Sequence, residues 1–128
     1  MERIIKFRAW EIDTKTMLDN TRFSIYNDSK TGEVFAVSNF GDCVLKEYIG
    51  MKDSKGNDIY EGDIIKCTKA NGFISTCIGV IKKSAMAFMV EGKNGYGDKW
   101  LHTITNETIT VFPCKIIGNI HENPELLK

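Results

Sequence analysis

Excess charge of either sign is what this sequence lacks most completely. Its 128 residues carry 17 Lys and Arg against 17 Asp and Glu, a formal net charge of +0. Such a chain has no long-range field to draw in a polyanion, so nucleic-acid binding is expected to be weak and local. Proline occurs only twice, at Pro113 and Pro124, which excludes a Pro-rich tract. No segment approaches the ~20 apolar residues of a membrane-crossing helix, and Lys6 and Arg8 interrupt the apolar start of the chain. A soluble, cytoplasmic protein without a membrane partner is therefore expected. None of the four cysteines (Cys43, Cys67, Cys77 and Cys114) sits in a C-x-x-C pair, so zinc has no support. Each is expected to be a reduced, buried thiol acting as a small hydrophobe. The two histidines, His102 and His121, have no neighbouring Ser or Cys in a nucleophile setting, and no G-x-S-x-G occurs. Gly92-x-x-Gly95-x-Gly97 lacks the Gly-Lys-Ser/Thr ending of a phosphate loop and reads as a flexible loop. No cofactor is implied.

The remaining composition is that of an ordered globular protein, 42% hydrophobic and 27% charged. One domain over residues 1–128 is expected, large enough to fold without a metal or disulfide. Apolar residues come in short runs separated by glycine and polar turns, the pattern of strands. Ile5, Phe7 and Ala9 alternate with Lys6, Arg8 and Trp10. Runs at 22–26 and 33–38 are joined by Asn27-Asp28-Ser29-Lys30-Thr31-Gly32, turn chemistry throughout, giving an N-terminal hairpin portion over 1–50. Within it, Cys43–Ile49 reads equally as strand or helical turn, and 36–50 is the stretch that pattern defines least. Residues 59–121 hold five or six closely spaced strands, among them 63–68, 73–82, 85–91, 100–104, 108–112 and 115–121. Asn71-Gly72 is a hairpin signal between the first two. This spacing suits a small SH3-like barrel or a rolled sheet. Asn123, Pro124 and Glu125 read as the cap and first turn of one short C-terminal helix over 123–128. The fold class is mainly β.

Two groups of residues invite a functional reading. Glu61 and Asp63 flank Gly62 in Tyr60-Glu61-Gly62-Asp63, the densest carboxylate pair in the chain. With Asp58 they could hold a divalent cation in a phosphodiester-acting enzyme, although a hard cation needs more oxygen ligands than this stretch guarantees. The alternative is a type II turn with Gly62 at the position requiring positive φ, and that reading is preferred. Lys66, Lys69, Lys82 and Lys83 could gather as a weak patch for single-stranded nucleic acid.

Three segments together resemble one family: Ile5–Trp10 (IKFRAW), Glu47–Ile65 (EYIGMKDSKGNDIYEGDII) and Ile116–Leu127 (IIGNIHENPELL). The chain resembles the YopX family, small proteins carried by phages and prophages, chiefly of Gram-positive bacteria. The resemblance implies a β-rich fold, an origin in a mobile element and a bacterial host cell. It implies no activity and no catalytic residues. Its signature positions read structurally, with Gly50, Gly62 and Gly118 at bends, Asn123-Pro124 at a cap, Asp63 at a turn, and Trp10, Tyr48 and Tyr60 in the core. A non-enzymatic accessory protein is thus expected, binding an unidentified protein or a second copy of itself through its β surface.

Overall fold

The computed structural model describes residues 6–68, 76–84, 87–93, 99–104 and 114–127. The chain divides into two compact units, Met1–Tyr48 and Ile49–Lys128. Both are antiparallel β.

The first unit is built on β1 (Phe7–Glu11), β2 (Thr16–Leu18), β3 (Ser24–Asn27), β4 (Val34–Ser38) and β5 (Gly41–Lys52), in the sheet order β2-β1-β5-β4-β3. The stretch around 36–50 that pattern alone left open is therefore strand, apart from the turn at 39–40. Local sequence gives too little contrast there because β5 buries residues on both faces. Tyr48 and Ile49, adjacent along β5, are both buried, so alternation is lost. Ala9 lies directly opposite Leu18 on one side and Leu45 on the other, forming one inner face. Lys6 stands 4.4 Å from the centre of the Tyr48 ring, and the Tyr48 N–H donates to the Lys6 carbonyl at 2.9 Å.

In the second unit the end of β5 pairs with β6 (Asp58–Tyr60). A separate sheet follows, made of β7 (Asp63–Thr68), β8 (Thr76–Lys83), β9 (Phe88–Lys93), β10 (Lys99–Thr103) and β11 (Cys114–Asn119), in the order β10-β9-β8-β7-β11. This sheet is not closed into a barrel, so the small-barrel form admitted by the strand spacing is not adopted. Strand spacing alone carries no information on closure, which depends on long-range pairing. Ile59, Ile65, Ile81, Val90 and Ile104 pack into the core of this unit, with Ile116 against it. Gly92 belongs to β9 and not to a glycine loop. It lies opposite Gly79, and a Cβ added to it would fall 1.9 Å from the Ile78 carbonyl oxygen. The two strands approach too closely there for a side chain.

A β-bulge interrupts β11 between Ile116 and Gly118. The short helical turn expected after β11 is a 3-10 turn, Pro124–Leu127. Asn123 does not cap that turn through its side chain. Its Oδ1 accepts the N–H of Asn119 at 3.2 Å, and a Cβ on Gly118 would meet the same oxygen at 2.5 Å. The Asn71-Gly72 turn, the 108–112 run and residues 94–98 lie outside the described residues.

Candidate binding surface

In the first unit β3 is an edge strand, pairing only with β4 among the described residues. All four of its residues are exposed. Tyr26 lies directly opposite Phe35, and Val44 of β5 stands on the same face, opposite Trp10. Trp10 is buried, but Tyr26 is 58% exposed and Phe35 43%. On the other face of the hairpin, Ile25 and Val34 are exposed as well, and Phe40 in the β4–β5 turn is 67% exposed. Alternation along β3 and β4 would ordinarily place half of these inside. Here the hairpin projects with apolar groups on both faces.

Beside Tyr26 is a hollow of about 260 Å³ lined by Arg22, Phe23, Val37, Ser38 and Asn39 among others. It is smaller than most small-molecule pockets. Near it lies the buried carboxylate of Glu11, which accepts the hydroxyls of Ser38 and Thr14. The Ser38 bond, then the Thr14 bond, hold its carboxyl below the ordinary glutamate range against the opposing effect of burial, with the Arg22 charge adding to them. Glu11 thereby ties β1 to the end of β4 through Ser38, which also lines the hollow.

The stretch with the densest carboxylates has a different character. Gly62 has φ +89°, while Glu61 does not have positive φ, as a type II turn requires. The Gly62 N–H donates to the Ile81 carbonyl and its carbonyl accepts from Ile120, each at 2.8 Å. Asp63 is buried, and its Oδ2 accepts the Tyr60 N–H at 2.8 Å. Asp58 is held by Lys52 at 2.8 Å. Each of these two carboxylates thus has a local role. No group of three His, Cys, Asp or Glu among the described residues is arranged to hold a metal ion.

Asp53, like Asp58 a polar-loop carboxylate near Glu61 and Asp63, has a structural role that sequence reasoning did not foresee. Its Oδ1 accepts the N–H groups of Lys55 and Asn57, at 3.0 and 2.8 Å. Its Oδ2 accepts the Ile116 N–H at 3.1 Å, across 63 residues of sequence, and the Asn57 side-chain amide at 3.4 Å. Burial raises the Asp53 pKa, but these bonds together outweigh it, and the carboxyl sits below the ordinary aspartate range. The signal available in sequence was local, an Asp at the start of Asp53-Ser54-Lys55-Gly56-Asn57, which is Asx-turn chemistry.

The expectation of four reduced thiols is corrected. Cys67 and Cys114 form a disulfide, with Cα atoms 4.2 Å apart, while Cys43 and Cys77 keep their thiols. The cause is register. Cys114 lies directly opposite Cys67, and Cys77 lies opposite Cys67 on the other side. The Cys114 carbonyl is turned away from β7, accepting the Ser54 N–H at 2.8 Å. The Cys67–Cys114 pair therefore occupies a non-hydrogen-bonded position, where opposite residues come closest. Of the lysines singled out, Lys66 and Lys82 share one face of the second sheet, Lys83 points to the other, and Lys69 lies outside the described residues. Lys82 is in an ion pair with Glu91 at 3.0 Å. The His102 side chain also lies outside the described residues, and His121 is half-buried after β11.

The family profile described as YopX protein matches residues 6–128. The chain belongs to the YopX family. Among curated proteins none matches it. Among solved structures, the crystal structure of protein EF1440 from Enterococcus faecalis is similar, with a TM-score of 0.67 and 27% identity. The match covers 99% of this chain and 100% of that one. In this YopX-family protein the positions that carried the resemblance have visible structural work. Trp10 and Tyr48 are buried and Tyr60 is half-buried. Gly50 and Gly62 have positive φ, and Gly118 abuts Asn123. The exposed β3–β4 hairpin lies in the 18–46 stretch, outside the three resembling segments.

Proposed function

We propose that this YopX-family chain is a non-enzymatic accessory protein, encoded on a mobile element, that binds another protein through the β surface of its first unit. The observation that supports this most is the exposed apolar hairpin, with Tyr26, Phe35 and Val44 on one face and Ile25 and Val34 on the other. Soluble monomers rarely expose contiguous apolar surface without using it, and aromatic side chains are enriched where proteins bind one another. The edge of β3 left unpaired among the described residues adds a second means of engagement, because an extended partner segment can add to an exposed strand through main-chain hydrogen bonds. The hollow beside Tyr26 is of a size to take one partner side chain.

The double variant Tyr26→Ser, Phe35→Ser tests the reading. The tagged wild-type protein and the variant are recovered from cells producing them, and the co-purifying proteins are quantified. A partner enriched by the wild type and lost with the variant, at unchanged melting temperature, supports the proposal. Equal recovery by both refutes it. Sedimentation of the purified chain identifies the case in which the partner is a second copy, since the same substitutions then dissociate the assembly.

A further inference from the structure

Four lysines fall in one line across the second sheet. Lys115 of β11 is opposite Lys66 of β7, and Lys66 is opposite Ile78 of β8. Ile78 is opposite Lys93 of β9, and Lys93 is opposite Lys99 of β10. The line thus crosses all five strands from edge to edge, with one non-lysine position. Directly opposed residues in antiparallel strands project to the same face. The side chains of Lys66, Lys93 and Lys115 are exposed. None of these three is in an ion pair among the described residues. Nothing in the local sequence announces this, because the four lie in four different strands.

Like charges placed directly opposite one another destabilise a sheet. Lys115 and Lys66 are such a pair, so the arrangement carries a cost that a counter-anion would relieve. Neighbouring strands are about 4.8 Å apart, so the line from Lys115 to Lys93 is about 14 Å long. One residue wide, it is flanked along the strands by Val80 and Glu91, with Glu91 already neutralising Lys82. The same face is closed at Ile64 and Val80, both buried, and opens at the lysines.

We propose that this line of lysines is a binding site for the phosphodiester backbone of a nucleic acid. The site is separate from the hairpin of the first unit and does not depend on it. A narrow stripe of cations complements a linear polyanion. A strand of B-form DNA places a phosphate every 3.4 Å of its axis, about four along 14 Å. A planar anionic membrane would meet Glu91 together with the lysines and gain less. No aromatic side chain stands in the line, so the contacts are to phosphates and carry no base preference. The neutral net charge of the chain removes long-range steering but leaves this local complementarity intact.

The test is fluorescence anisotropy of labelled mixed-sequence oligonucleotides, single-stranded and duplex, in about 20 mM salt rising to about 200 mM. A parallel titration uses phosphatidylserine-containing vesicles. Three phosphate contacts give a slope of log affinity against log salt of about −2 on single strands and about −3 on duplex. The triple variants Lys66→Glu, Lys93→Glu, Lys115→Glu and Lys66→Gln, Lys93→Gln, Lys115→Gln should each weaken binding at least about tenfold and flatten the slope. Lys83→Glu, on the opposite face beside Phe88, should leave both unchanged. The Gln variant, free of introduced charge, guards against loss of fold, which the melting temperature monitors. Absence of oligonucleotide binding at the lowest salt, an affinity indifferent to the triple substitutions, or binding to vesicles in preference to oligonucleotides would each overturn the proposal.

Discussion

Asp53→Asn removes one charge and one acceptor and leaves the shape of the side chain intact. In the second unit Asp53 is 6% exposed, and its two oxygens accept from Lys55, Asn57 and Ile116. The asparagine carbonyl can replace Oδ1 and keep the two turn amides. Its amide nitrogen then faces the Ile116 N–H and the Asn57 side-chain amide, donor against donor. A buried donor left without an acceptor costs about 1–3 kcal/mol, and each charge-assisted bond reduced to a neutral one costs a further fraction of that. The sum is about 2–4 kcal/mol, a lowering of the melting temperature on the order of 10 °C. Asp53→Ala removes all the acceptors and should cost more. Because the carboxyl pKa is depressed in the fold, its stabilisation is fully present above the unfolded aspartate value of about 3.9 and is lost as pH falls through the folded value. The gap between wild type and Asp53→Asn should be constant near neutrality and narrow below about pH 4. Urea and thermal unfolding across pH read this directly, and amide exchange at Ile116 reads it locally. A melting temperature for Asp53→Ala within about 2 °C of wild type, with Ile116 still protected, would refute the assignment of Asp53 as the tie between the β5–β6 loop and β11.

Three further outcomes are expected. Gly62→Ala should destabilise by about 1 kcal/mol or more, since Gly62 holds φ +89° with both backbone groups bonded; an unchanged melting temperature would remove the turn assignment. Gly92→Ala should cost more than Gly62→Ala, because a Cβ there collides with the Ile78 carbonyl and forces β8 from β9; equal or smaller loss in thermal unfolding counts against that close approach. Thiol titration in denaturant without reductant should find two thiols, Cys43 and Cys77, and four after reduction; the 47-residue separation predicts that reduction costs up to about 4 kcal/mol, and four thiols without reductant would contradict the bond.

What the sequence by itself determined is local. Alternation over 5–10, the turn chemistry at 27–32 and 53–57, and Gly62 between Tyr60 and Asp63 each depend on a handful of adjacent residues, and backbone sterics decide such features within that range. Mainly β character followed from them, as did the preference for a turn over a metal site at Glu61 and Asp63. The tertiary structure alone decided register. Cys67 meets Cys114, Asp53 reaches Ile116, and Lys115, Lys66 and Lys93 fall into line only because β7 is placed between β8 and β11 and β9 beside β8. A shift of one residue in any pairing would send these side chains to the opposite face. The same holds for exposure. Tyr26 and Phe35 sit in short runs whose local sequence does not mark them as exposed, and what leaves them in solvent is incomplete cover of that face of the sheet. Which part of a face is covered is decided by packing between segments far apart in the chain.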